Sequence, residues 1–325
     1  MDYFKSEITD TIKKIQSVRS EDDLCFVLLS DSHLSEEGAV TCENIRAVDK
    51  EIGFDFAAHL GNMINGNNPE KISSQLLKNE LQMYKECTKN KKLFVSQGDA
   101  DGWRDERFLG QLAEHIITDE FWRDGTSFID EYENVSRQGN NPYYYVDIPD
   151  KNVRLVFLCS YHYQIDNEIG YYKKYTQISA KQAAWLKNEA LAGCEGKTVF
   201  LFSHRMPNSV FETGTDVFVY KGNCTEPLFA IIQQAQKSGV NIGCWFGGGY
   251  GYDSEVNVAG INLSVINSQL PKCVNNAKCD NVRFADDRAL QTVNQDCWDA
   301  VVLKQKERKV YIYRFGWGED RVLEY

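Results

Sequence analysis

The stretch LFVSQGDADGW, Leu93 to Trp103, sets Asp99 and Asp101 one residue apart just beyond the apolar Leu93, Phe94 and Val95. Two carboxylates this close to a buried strand repel each other unless a cation, a hydrogen-bond donor or water compensates them. Other residues able to do chemistry stand at similar places. Asp31 and His33 follow the apolar run Leu24 to Leu29, and Gly61 and Asn62 follow Phe54 to Leu60. His204 follows Thr198 to Phe202, and a glycine-rich turn, Gly247 to Gly251 with Tyr250 and Asp253, follows Ile242 to Phe246. Taken singly each signal is weak, because an Asp-x-His after a strand is more often a turn closed by an Asx hydrogen bond than a metal site.

These side chains need a scaffold, and the apolar runs supply one. Each reads as a strand buried on both faces, and helical patterns such as Ile45, Val48 and Ile52, or Leu76, Leu77, Leu81 and Tyr84, lie between them. The alternation predicts an α/β layered fold, in which ligands gather at the carboxyl ends of the strands. Ser179 with Gln182 forms a capping box that starts a helix through Ala183, Trp185 and Leu186. From Val256 onward short β-like pieces dominate, which predicts a second sheet packed on the first. With no repeat or linker, residues 1–325 read as one domain, and the polar stretch 121–141 reads as a rim insertion.

The order D-x-H, G-[DN], G-x-x-D, H and a glycine-rich turn, each after a buried strand, resembles the calcineurin-like metallophosphoesterase superfamily. The segment YTQISAKQAAWLKNEAL is similar to the helix that precedes the fourth motif, and VYIYRFGWGEDRVLEY to the final hairpin of bacterial members. The resemblance implies a four-layer αββα sandwich, two mixed β-sheets flanked by helices. It also implies two divalent cations at the strand ends and metal-assisted attack on a phosphoester.

Asp31 and His33 keep the first motif and His204 the fourth. The second motif, ordinarily Gly-Asp with a carboxylate bridging both metals, reads Gly61-Asn62. The third, ordinarily G-N-H-D, reads Gly98-Asp99-Ala100-Asp101, so Ala100 replaces the acid that protonates the leaving group. The fifth has lost both histidines. Two dications about 3.5 Å apart repel by on the order of 20 kcal/mol at an effective dielectric of 20, and bridging anions must offset this. Uncharged Asn62 cannot, so no full dinuclear centre is expected. A residual set of Asp31, His33, Asn62, Asp99 and His204 would hold at most one divalent ion of manganese, iron or zinc. No catalytic residue is assigned, His162 being the one substitute acid on offer. Asp101, Arg205, Gly248, Gly249, Tyr250 and Asp253 are expected to line a cleft vacated by the missing imidazoles. The expected function is therefore ligand or partner binding without catalysis. The alternative is a phosphomonoesterase or phosphodiesterase that uses one metal or a rearranged ligand set.

Composition narrows the partners. A formal charge of −11 disfavours nonspecific contact with nucleic acid or an anionic membrane. The N-terminus lacks the apolar run of a secretory signal, and the ten cysteines lack zinc-site spacing, so a cytoplasmic chain with reduced thiols is expected. A small phosphorylated ligand or a protein is the expected partner. His59 is expected to pack in the core, and the tyrosines at β spacing to cover a sheet edge.

Overall fold

The apolar runs form strands buried at every position: β1 (Leu24–Leu29), β2 (Phe56–His59) and β3 (Leu93–Val95). The computed structural model describes residues 2–35, 37–104, 115–166, 171–175, 178–206, 225–269, 283–284 and 288–325. The strands that follow are β4 (Val135–Ser136), β5 (Tyr144–Ile148), β6 (Val153–Phe157), β7 (His162–Asp166), β8 (Tyr171–Tyr175) and β9 (Thr198–Ser203). They are succeeded by β10 (Asn241–Gly247), β11 (Tyr252–Val258), β12 (Ile261–Val265), β13 (Arg283–Phe284), β14 (Cys297–Lys304), β15 (Lys309–Gly316) and β16 (Arg321–Glu324).

One sheet has the order β16-β15-β14-β1-β2-β3 and the other β13-β11-β12-β10-β9-β6-β5-β4, while β7 and β8 form a separate ribbon. Both large sheets are mixed. β1, β2 and β3 run parallel with β14 antiparallel to β1, and β6, β9, β10 and β12 run parallel with β5 and β11 antiparallel to their neighbours. The C-terminal strands do not build a sheet of their own, as the sequence suggested. β14 pairs with β1, Val27 opposite Ala300, because the second edge of the wholly apolar β1 would otherwise be unpaired.

Helices α1 (Lys5–Val18), α2 (Glu37–Ile52), α3 (Glu70–Lys85) and α4 (Asp119–Gly125) cover the first sheet, and α5 (Ala180–Trp185) and α6 (Thr225–Lys237) the second. Between the sheets Phe26 stacks on Phe56 at 4.6 Å and meets Phe202 of the facing sheet at 6.0 Å, while Phe202 stacks on Phe157 at 4.6 Å. Such ring pairs add about 0.5–1.5 kcal/mol each beyond the area they bury. A second apolar cluster, with Trp185, Leu186, Leu228, Ile232 and Trp245, lies under α5 and α6. The result is the four-layer αββα sandwich.

Local signals fared unevenly. Ser179 caps α5 by accepting from Gln182 N at 3.2 Å, but the Gln182 amide does not reach back to complete the box. It clasps Cys159 instead, accepting from N and donating to O at 2.8 Å each, and so ties α5 to the end of β6. The stretch 121–141 holds the end of α4, a 3-10 turn at Ser127–Glu131 and β4, with Phe121, Trp122 and Ile129 buried. Tyr144 does close a sheet edge, its hydroxyl accepting from Val95 N and donating to Val95 O. The seven described cysteines are buried and free. No described helix is long and apolar enough to cross a membrane.

Candidate functional site

The turns after β1, β2, β3, β9 and β10 meet at one end of the sandwich. Asp31 N donates to Gly61 O at 3.0 Å, His33 N to Asn62 O at 2.9 Å, and Gly248 N to His204 O at 2.9 Å. Asp31, His33 and Asn62 all adopt left-handed backbone, with φ of 56°, 48° and 58°. Side-chain-bearing residues rarely accept that conformation, and such strain gathers where turns must aim functional groups.

At the centre lies Asp31, 5 % exposed. Its Oδ2 accepts from Ser30 Oγ at 2.5 Å and from Gly249 N at 2.8 Å, and its Oδ1 accepts from Asn62 Nδ2 at 3.0 Å. Burial alone would raise its pKa, yet His204, His33 and the Ser30 hydroxyl outweigh burial and hold it well below the usual carboxylate range. Burial works the other way on His33, but Asp31, with Asp101 and Asp99 behind it, leaves that imidazole raised.

The opening pair of carboxylates has two different fates. Asp101 is fully buried and accepts from Asn62 N, Met63 N, Ile64 N and Gly98 N at 2.6–3.2 Å, so it fastens the second turn to the third. It is not a cleft residue. Burial pushes its carboxyl up against the pull of those amides. Asp99 keeps more than a quarter of its side chain exposed, with Oδ1 3.5 Å from His204 Nε2. The third turn also holds Asn62, because Ala100 N donates to Asn62 Oδ1 at 2.8 Å.

His204 is fully buried, with Nδ1 2.7 Å from Leu60 O. A carbonyl accepts only from N–H, so Nδ1 carries a proton and Nε2 faces Asp99 Oδ1 and, at 4.0 Å, Asp31 Oδ1, with no hydrogen-bond partner of its own. The glycine-rich turn does not leave the expected cleft. A Cβ on Gly248 would lie 1.9 Å from Ser30 Oγ, and one on Gly249, whose φ is +72°, would lie 2.5 Å from His204 Nε2. The main chain of the turn packs directly against Ser30 and His204, and its Gly249 amide serves Asp31.

Tyr250 sits beside this turn, its hydroxyl hydrogen-bonded to Met206 N, and the Arg205 guanidinium lies 4.7 Å above its ring. Arg205 is half-buried rather than solvated, and its Nε donates to Tyr161 Oη at 3.1 Å. Ser30 and Tyr161 had not been singled out from sequence. Both stand at strand ends, the one signal that could have found them.

Asp253 belongs elsewhere. It is fully buried and takes Arg314 at 2.5 Å and Arg321 at 2.6 Å, and both arginines also hold Asp299. Asp253 lies on β11 of one sheet and the other three on β14, β15 and β16 of the other, so the network staples the sheets together. Despite burial, Arg314 and Arg321 keep the Asp253 carboxyl low. His162 begins β7, but its side chain lies outside the described residues. His59 is a core residue as expected, fully buried, pulled down by burial to about 3, and spanned between Gly61 N and Ser32 Oγ at 3.1 Å each.

At Asn62 the side chain departs from the donor set of a dinuclear centre. The Ala100 amide fixes the Asn62 flip, so an N–H group, which cannot ligate, points at Asp31 where a shared ion would bind. Among the described residues no group of three or more His, Cys, Asp or Glu is placed to hold a metal ion. His33 and Asp99 each keep about a quarter of the side chain exposed, and Arg205 interacts electrostatically with Asp99.

No protein-family model matches the chain, and no curated protein does. Among solved structures, a dimetal phosphatase from Danio rerio superposes with a TM-score of 0.61 at 12 % identity, over 93 % of this chain and 99 % of that one. Further matches are GAP50, the anchor in the inner membrane complex of Plasmodium, and phosphopantetheinyl hydrolase from Mycobacterium tuberculosis. GAP50 aligns at TM-score 0.46 and 11 % identity over 89 % of this chain and 83 % of its own. The hydrolase aligns at 0.42 and 10 % over 77 % and 91 %. At such identities the likeness is one of fold, which does not by itself carry function. The chain shares the fold of the dimetal phosphatase, a metallophosphoesterase-type αββα sandwich.

Proposed function

We propose that the chain is a ligand-binding protein built on the metallophosphoesterase fold, in which hydrolysis by two cations has been lost. The observation that carries this reading is Asp31: its two oxygens take three donors from within the chain. A carboxylate committed in this way is part of the scaffold. Ala100 stands where a leaving-group acid is required, and loss of a general acid forfeits about two to four orders of magnitude in rate. His33 stands beside Asp31 and Arg205 near Asp99, and a small phosphorylated molecule with a donor group of its own suits that mixture of charges. The seven buried, free thiols accord with a cytoplasmic location.

The test pairs metal content with turnover after expression in medium supplied with manganese, iron and zinc. Substoichiometric metal and no hydrolysis of bis(p-nitrophenyl) phosphate or p-nitrophenyl phosphate is the expected result. Two metals per chain with turnover would overturn the reading. The partnerless His204 Nε2, facing Asp31 and Asp99, favours one alternative, a single cation at that nitrogen. One metal per chain, lost together with activity in His204→Ala, would establish it.

A further inference from the structure

We infer that the Asn62 carboxamide is a built-in replacement for the bridging ion, so that the pocket assembles fully without metal and the stability of the fold is indifferent to divalent cations. This goes a step past the binding reading and shares its site. Asn62 Oδ1 accepts from Ala100 N at 2.8 Å, which leaves Nδ2 to donate to Asp31 Oδ1 at 3.0 Å. Its main chain is tied as well, N to Asp101 Oδ2 at 2.9 Å and O to His33 N at 2.9 Å. One residue thus joins the first, second and third turns, and the Gly249 amide on Asp31 Oδ2 brings in the last.

Change in one atom group reverses the logic. A carboxylate at position 62 would set an oxygen against Asp31 Oδ1 with no proton between them, and like charges at that distance need a cation. It would still accept from Ala100 N through its other oxygen. Asn62→Asp therefore converts a pocket closed by a hydrogen bond into one closed only by metal.

The experiment is thermal unfolding of the full chain in EDTA, in manganese and in zinc, for wild type, Asn62→Asp and Asn62→Ala. Wild type is expected to melt within about 1 °C in all three media, since an ion that does not bind the native state cannot stabilise it. Asn62→Asp should melt roughly 3 °C or more lower in EDTA and regain most of that with manganese. Asn62→Ala should melt lower with no recovery. A wild-type melting point that climbs by several degrees with manganese or zinc overturns the inference, as does an Asn62→Asp chain that matches wild type in EDTA or stays unfolded with metal. Phosphoester turnover alongside metal-indifferent melting would sink the binding reading and leave this one standing. Metal-sensitive melting without turnover would do the reverse.

Discussion

Two buried acid clusters in this molecule are neutralised in opposite ways. Asp253 and Asp299 are met by full charges, Arg314 and Arg321, across the junction of the sheets. Asp101 is met by main-chain N–H dipoles, and Asp31 by a hydroxyl, a carboxamide and a main-chain N–H beside the His204 and His33 imidazoles. Charge pairing tolerates no missing partner, because the survivor is a bare buried ion. A dipole cage spreads the burden, and each donor is worth less. Glu80 is a third case with neither device. Its Oε2 is buried without a partner, and burial with Asp101 nearby pushes its pKa up to about 7.

The contrast can be broken by substitution, most severely at the ion network. Arg314→Met should cost about 3–5 kcal/mol in urea unfolding, because it strips Asp253 and Asp299 of a shared cation. If the network is a mutual neutralisation, Asp253→Asn should recover part of that loss when added to Arg314→Met, whereas independent contacts would simply add. In the dipole cage, Asp101→Asn should cost less, about 2–3 kcal/mol, since an amide N–H must then face main-chain donors. Equal losses at the two sites would dissolve the distinction.

Much of the scaffold was legible in sequence because central strands are apolar throughout. β1, β3, β9 and β10 fall where Leu24–Leu29, Leu93–Val95, Thr198–Phe202 and Ile242–Phe246 predict them, to within a residue or so at each end. The place of β14 was not legible, since pairing with β1 spans most of the chain. In the site, side-chain identity located Asp31, Asn62, Asp99 and His204 at one end of the sheets. It gave no sign of what main chain does there: the Gly249 amide on Asp31 and the amides on Asp101 leave no mark on residue type. Asp253 looked like a cleft residue for a related reason. Its partners, Arg314 and Arg321, come from strands of the other sheet, and only the fold brings them near.

Smaller changes sharpen the picture. Gly249→Ala forces a side chain into left-handed backbone with a Cβ 2.5 Å from His204 Nε2, and should cost about 1–3 kcal/mol by chemical denaturation. Glu80→Gln should show a pH signature. Its folded pKa of about 7 lies above the ordinary 4.5, so between those values the native chain holds a proton that the unfolded chain has released. Wild-type stability therefore falls as pH rises through that window and levels off above it. Glu80→Gln should match wild type near pH 4 and melt roughly 1–3 °C higher near pH 8. A variant no more stable than wild type at the higher pH would show that Glu80 has a compensating partner.

The most direct measurement is anomalous diffraction at the manganese edge from crystals grown with excess manganese. A pocket closed by Asn62 and main-chain amides predicts no pair of peaks beside Asp31, and an unbroken hydrogen bond from Asn62 Nδ2 to Asp31 Oδ1. Two fully occupied manganese ions in contact with Asp31, with the Asn62 amide turned away, would contradict it.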